Sequence, residues 1–165
     1  MESLVNSLID LFSGLNKDVV VFIISMLPLL ELRGGLLAAS ILNVSFLPGY
    51  ILSILGNVLP IPFLLLFLEK ILNWLGKFKS TKKIVNKFEK KVLSKKDQID
   101  KYGYIGLMLF VGIPLPGTGA WTGSALAVLL GMDRKKSFFY ILLGVILASI
   151  IMSIISYGIL GNIIR

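Results

Sequence analysis

The chain has 165 residues, 56% of them apolar, and a mean hydropathy of +0.88. That is too greasy for a water-soluble surface, and the length fits one domain, so residues 1–165 are expected to form a single integral membrane domain. It contains no His and no Cys, which removes disulfides, thiolate and imidazole metal sites, and cysteine or histidine catalysis; no enzyme activity, metal or cofactor is expected.

Met1-Glu2-Ser3-Leu4 carries no basic n-region, so no cleaved signal peptide is expected. Leu4, Leu8, Leu11 and Leu15 follow at helical spacing and predict a short amphipathic helix on the outer interface. Four long apolar segments come next, about 19–42, 46–68, 104–130 and 138–160. Each reaches the ~20 residues that a spanning helix needs.

Two of the four are faulty near the centre. The first carries Glu31 and Arg33, each costing about 2.5–3.5 kcal/mol at the bilayer midplane. The third carries Pro114-Leu115-Pro116-Gly117-Thr118-Gly119, where prolines remove donors and glycines permit turns. Both segments read as two short helices meeting at a break, with Pro28, Gly34 and Gly35 marking the first break and Pro114, Pro116, Gly117 and Gly119 the second.

Charge placement decides whether the broken segments cross. The net charge is +8, with 17 Lys+Arg against 9 Asp+Glu, and most of the excess lies between Glu69 and Lys101. If the third segment crossed, this stretch and the basic Asp133-Arg134-Lys135-Lys136 loop would lie on opposite faces, against the positive-inside rule. Re-entrant hairpins put residues 77–101 and 131–137 in the cytoplasm and both termini outside. Membrane orientation accounts for the basic run without nucleic acid. Irregular backbone at membrane depth needs cover from protein or a water-filled cavity, so the breaks are expected to be buried. Within the run, Val85, Phe88, Val92 and Ile99 keep helical spacing and predict a basic helix over 77–101 resting on the inner surface or covering a hairpin mouth.

An ungapped shift of 88 residues lays Leu27-Pro28 on Leu115-Pro116, Gly35 on Gly123 and Gly56 on Gly144. It also lays Ser45 on Asp133, each a credible N-cap. The expected fold is all-α: an inverted repeat of two re-entrant hairpins, each followed by a full transmembrane helix, with interfacial amphipathic helices. Repeat 1 covers about 18–75, the linker 76–101, and repeat 2 about 102–163. Inverted repeats with broken helices at the midplane mark transporter folds. The competing reading is a plain four-helix membrane protein whose Gly and Pro serve packing.

The chemistry belongs at the breaks. Glu31 and Arg33 are two residues apart, point to different faces of a regular helix and need outside partners. The helix restarting near Thr118-Gly119 offers free N–H groups and a positive dipole end to a carboxylate or anionic substrate. Asn57 adds a neutral polar group, and Thr118, Trp121 and Thr122 add hydroxyls and an apolar wall. The small-residue stripes Gly49, Ser53, Gly56 and Gly144, Ala148 offer close-packing faces, between copies or equally within one chain, and a homodimer is expected.

Glu31-Leu32-Arg33-Gly34-Gly35 and Pro114-Leu115-Pro116-Gly117-Thr118-Gly119-Ala120-Trp121-Thr122-Gly123 resemble the two signature stretches of the small multi-drug export protein family of prokaryotic membrane proteins. That family is similar, in its paired hairpins, to the DedA and VTT-domain superfamily, whose members are linked to lipid scrambling, polyprenyl-phosphate recycling and proton-dependent membrane homeostasis. DedA-type proteins carry acidic and arginine residues in both hairpins, whereas the second hairpin here is uncharged. The resemblance implies a multi-pass transporter in a prokaryotic plasma membrane. The expectation is proton-coupled export of a small or amphiphilic substrate by alternating access. Glu31 would carry the proton, while Arg33 anchors an anionic group or steadies Glu31. The alternatives are a lipid flippase or scramblase, and a non-transporting scaffold.

Overall fold

The computed structural model describes residues 2–155, apart from the side chain of Gln98. The expected ends of the last span and the C-terminus fall outside these residues. Among the described residues the chain is all helix and loop: α1 (Glu2–Leu11), α2 (Lys17–Met26), α3 (Glu31–Ile41), α4 (Phe46–Val58), α5 (Pro60–Leu75), α6 (Lys79–Leu93), α7 (Asp97–Gly112), α8 (Ala120–Leu129) and α9 (Arg134–Ser153).

Among the described residues, two rods are long and apolar enough to cross a membrane, Phe46–Leu75 and Arg134–Ser153. The first joins α4 to α5 through Leu59, which keeps helical dihedrals although Pro60 ends the regular bonding. At 1.5 Å per residue its 30 residues span about 45 Å. Only a third of each rod's apolar window is buried. Along α4 and α5 the outward face runs Leu47, Ile51, Leu55, Leu59, Phe63 and Phe67 at four-residue steps, all exposed. An apolar ridge of that length has lipid as its fitting solvent, and the protein is a membrane protein.

Helices α2 and α3 double back on one another. The Lys17 ammonium donates to the Asn43 carbonyl at 3.2 Å, joining the start of α2 to the end of α3, while Ser25 lies against Gly35. Helices α7 and α8 do the same: the Asp133 N–H donates to the Tyr104 hydroxyl, and Gly123 packs on Val111. The full-length rods then close on these pairs. A Cβ at Gly56 would lie 2.5 Å from the Phe22 carbonyl, and one at Gly144 would lie 2.7 Å from the Met108 carbonyl. Each rod therefore touches the first helix of its own pair backbone to backbone.

Each half has its own core. Val21, Ile24, Leu30, Ala38 and Ala39 fill the first. Leu107, Phe110, Val111, Leu126, Ile141 and Val145 fill the second, where Ile61 and Leu65 of α5 join them. Leu32 and Leu36 of α3 meet Ala148 of α9, so each rod also reaches across to the other half.

Several expectations change. Gly34 and Gly35 do not mark the first break, which occupies residues 27–30; both lie inside α3. Their lack of a side chain serves close approach instead, since a Cβ on Gly35 would overlap the Ser25 hydroxyl. The small-residue stripes are used within the chain: Gly49, Ser53, Gly56, Gly144 and Ala148 are all buried against its own helices, so they offer no face to a second copy. Helix α1 packs through Val5, with Leu8, Ile9 and Phe12 beside it, while Leu4, Leu11 and Leu15 stay exposed.

The basic helix ends at Leu93, and residues 97–101 begin α7, which kinks at Gly103 with φ of 56°. Helix α6 lies along α5 and α8, held by buried Val85 and Val92, because its lysines occupy only one face and leave an apolar strip to bury. Asp133 caps α9 by accepting from the Lys136 N–H. Ser45 holds the corresponding position before α4 without a side-chain bond.

Candidate functional site

The two breaks meet. Leu27 to Leu30 close the first turn through the Leu30 and Glu31 N–H groups, both donating to the Leu27 carbonyl. Glu31 then starts α3 with φ of 52°, a left-handed conformation that a side chain rarely adopts. In the second break, Pro114 and Pro116 lack donors, Gly117 and Gly119 have φ of 75° and 133°, and α8 starts at Ala120.

Glu31 is 6% exposed. Its Oε2 accepts from the Ala120 N–H and its Oε1 from the Trp121 N–H, both at 3.0 Å. A carboxylate from one hairpin thus caps the helix that restarts in the other, satisfying two donors at a helix N-terminus and meeting its positive dipole end. Gly119 makes this possible: a Cβ there would overlap Oε2.

Arg33 treats the carbonyls of the same loop. Its Nη1 donates to the Leu115 carbonyl at 2.7 Å, and its Nη2 donates to the Thr118 carbonyl at 3.0 Å and the Thr118 hydroxyl at 3.1 Å. The Trp121 indole N–H returns the contact, donating to the Met26 carbonyl at 3.1 Å. Lys95, from the turn after α6, donates its ammonium to the Gly117 carbonyl.

These bonds also correct the expected burial of the breaks. Pro28, Leu29, Leu115, Pro116 and Gly117 are exposed. The Leu115 and Gly117 carbonyls are stabilised not by cover but by donors from the opposite hairpin and the linker, which replace the water that lipid would deny.

The structure thus brings Glu31, Arg33, Thr118 and Trp121 together. Thr122 lies one residue on in α8, half-buried. Asn57 is 2% exposed, and its Oδ1 has no hydrogen-bond partner. Ser53, one turn earlier in α4, is fully buried with an unpartnered Oγ, close to Gly35. Because α3 and α4 run back along each other from the 42–45 turn, Asn57 sits at about the depth of Glu31.

Ser25 and Lys95 were not singled out by sequence, and Ser53 only as part of a packing stripe. Lys95 is one of 11 Lys between positions 69 and 101, and nothing local distinguishes it.

An all-helical membrane protein with two broken hairpins, joined by a buried carboxylate on a helix N-terminus, has features found among membrane transporters. A family match makes this specific. Residues 31–151 match the family described as "Putative small multi-drug export protein", and the chain belongs to that family. The match begins at Glu31, just after the first break, and takes in the second break and the Lys95 turn. No curated protein and no solved structure matches the chain.

Proposed function

We propose that the protein exports a small or amphiphilic substrate across a prokaryotic plasma membrane by alternating access, with Glu31 as a proton-operated latch between the hairpins. The supporting observation is the pair of bonds from the Ala120 and Trp121 N–H groups to the Glu31 carboxylate. An ionised carboxylate accepts both. Protonation removes the charge that the helix dipole attracts and adds an O–H donor facing N–H donors, so the latch opens.

In this reading the hairpins enter the membrane from opposite faces and the halves are inverted, with residues 77–101 and 131–137 cytoplasmic. The lysine face of α6, exposed alongside α8, lines a water-filled vestibule on the cytoplasmic side. The unpartnered oxygens of Ser53 and Asn57 give water a foothold near Glu31.

A second reading, movement of lipid, draws on the exposed Leu29 and Leu115 beside the polar contacts of Arg33 and Thr118, a tip with both apolar and polar faces. Here the distant likeness to the DedA and VTT-domain proteins applies.

The test is flux per folded molecule in proteoliposomes against pH, with a panel of soluble amphiphiles and a labelled phospholipid, for wild type and Glu31→Gln. The expected result is pH-dependent flux of a soluble substrate that the Gln variant loses while retaining its fold. Undiminished flux in Glu31→Gln removes the latch. Phospholipid movement alone favours the second reading, and no flux of any species leaves a scaffold.

A further inference from the structure

A cavity of about 150 Å³ opens at the tip of the second hairpin, lined mainly by Tyr102, Leu109, Phe110, Ile113, Leu115 and Thr118. The walls are apolar, and a cavity of this size accepts a benzene-sized ring. Two cations stand beside its lining. Arg33 is bonded to the Leu115 carbonyl and to Thr118, both lining residues. Lys95 is bonded to the Gly117 carbonyl between them and stands 5.9 Å over the ring of Phe110, another lining residue.

Neither cation is neutralised by an ion pair. The carboxylate pairs among the described residues join Lys96 to Asp100 and Arg134 to Glu69, while Arg33 and Lys95 bond only carbonyl and hydroxyl oxygens. The nearest acid by sequence, Glu31, has both oxygens engaged by the α8 N–H groups. Arg33 uses three of its five N–H donors and Lys95 one of three, so each has donors left for an anion.

We propose that this cavity binds an organic anion carrying a ring-sized apolar group, with the ring against Phe110 and Leu109 and the carboxylate or phosphate between Arg33 and Lys95. The proposal names a substrate class for the export reading and rests on it for its biological meaning, but binding is measured without flux. The two can therefore fail separately. The same chemistry is carried by a soluble aromatic acid and by an anionic lipid, whose headgroup and first methylenes fit the same rim and wall.

The full-length protein in phosphatidylcholine nanodiscs is titrated with 4-fluorobenzoate by fluorine NMR, with 4-fluorobenzamide and 4-fluorobenzylamine as neutral and cationic isosteres. The anion should bind saturably and about tenfold more tightly than either isostere, the difference one good charge contact makes. Lys95→Gln, on an exposed turn, should weaken the anion and leave the amide unchanged. Leu109→Trp, which fills the cavity and leaves both cations in place, should abolish saturable binding of all three. Equal binding of benzoate and benzamide overturns the proposal, as does unchanged benzoate binding in Leu109→Trp protein that melts like wild type. Repeating the titration in phosphatidylglycerol nanodiscs separates the sources: a weakened probe identifies lipid as a competitor for the site, and an unchanged one identifies a soluble anion.

Discussion

The two halves share backbone features at matched positions and differ in chemistry. At positions 88 apart, Gly56 and Gly144 make the same backbone approach to the first helix of their hairpins. Glu31 and Gly119, also 88 apart, both have positive φ at the start of the restarted helix. The side chains then diverge. Arg33 corresponds to Trp121, and the buried Ser25, Ser53 and Asn57 correspond to Ile113, Ile141 and Val145. The first half supplies the buried carboxylate, the guanidinium and the buried amide, while the buried side chains of the second are apolar or serine. The second supplies backbone N–H and carbonyl groups for them to meet.

The Glu31 and Gly119 pair teaches most. A non-glycine residue in a left-handed conformation costs about 1–3 kcal/mol, and the same turn in the second half avoids that cost with glycine. The first half carries a side chain there because the carboxylate caps α8. The second must not, because a Cβ at Gly119 would overlap Oε2 of Glu31. A side chain at one position thus requires its absence at the other.

Three measurements break or sharpen this comparison. The largest effect is all-or-none. Single cysteines at Ser80 and Lys135, both exposed, in a chain without native Cys, should label from the same side with an impermeant reagent. Labelling from opposite sides would end the proposed inverted arrangement of the halves.

Next comes Gly119→Ala, expected to destabilise the protein by roughly 3 kcal/mol, from strain at φ of 133° and overlap with Glu31. Adding Glu31→Gly should recover part of the loss, so that the two changes are less than additive in melting experiments. Full additivity would mean that the positions are independent.

The smallest effect is Asn57→Val, which gives the first half the residue of the second. Removing a buried, unpartnered oxygen should leave stability unchanged or raise it by about 1 kcal/mol. Under the export reading the same variant should transport more slowly. A loss of stability would mean that Asn57 is satisfied by a bound water that the fold requires.

The sequence by itself determined the membrane class, the absence of His and Cys chemistry, the breaks at Pro28 and at Pro114–Gly119, and the need of Glu31 and Arg33 for partners outside their own helix. Those features reside in side-chain type and spacing: a long apolar run, a ring without an N–H, two charges two residues apart. The partners themselves were decided by the tertiary structure. They are the N–H groups of Ala120 and Trp121 and the carbonyls of Leu115 and Thr118, and main-chain groups are the same in nearly every residue, so no letter of the sequence marks them. The same applies to α6. Its lysines announced a solvated face, but its position along α8, with Lys95 on the Gly117 carbonyl, depended on which buried strip was left open once the hairpins had closed. Gly34 and Gly35 looked like hinges in one dimension and proved to be contact points in three, because a glycine's missing side chain serves a turn or a close approach equally well, and only the neighbouring helix distinguishes the two.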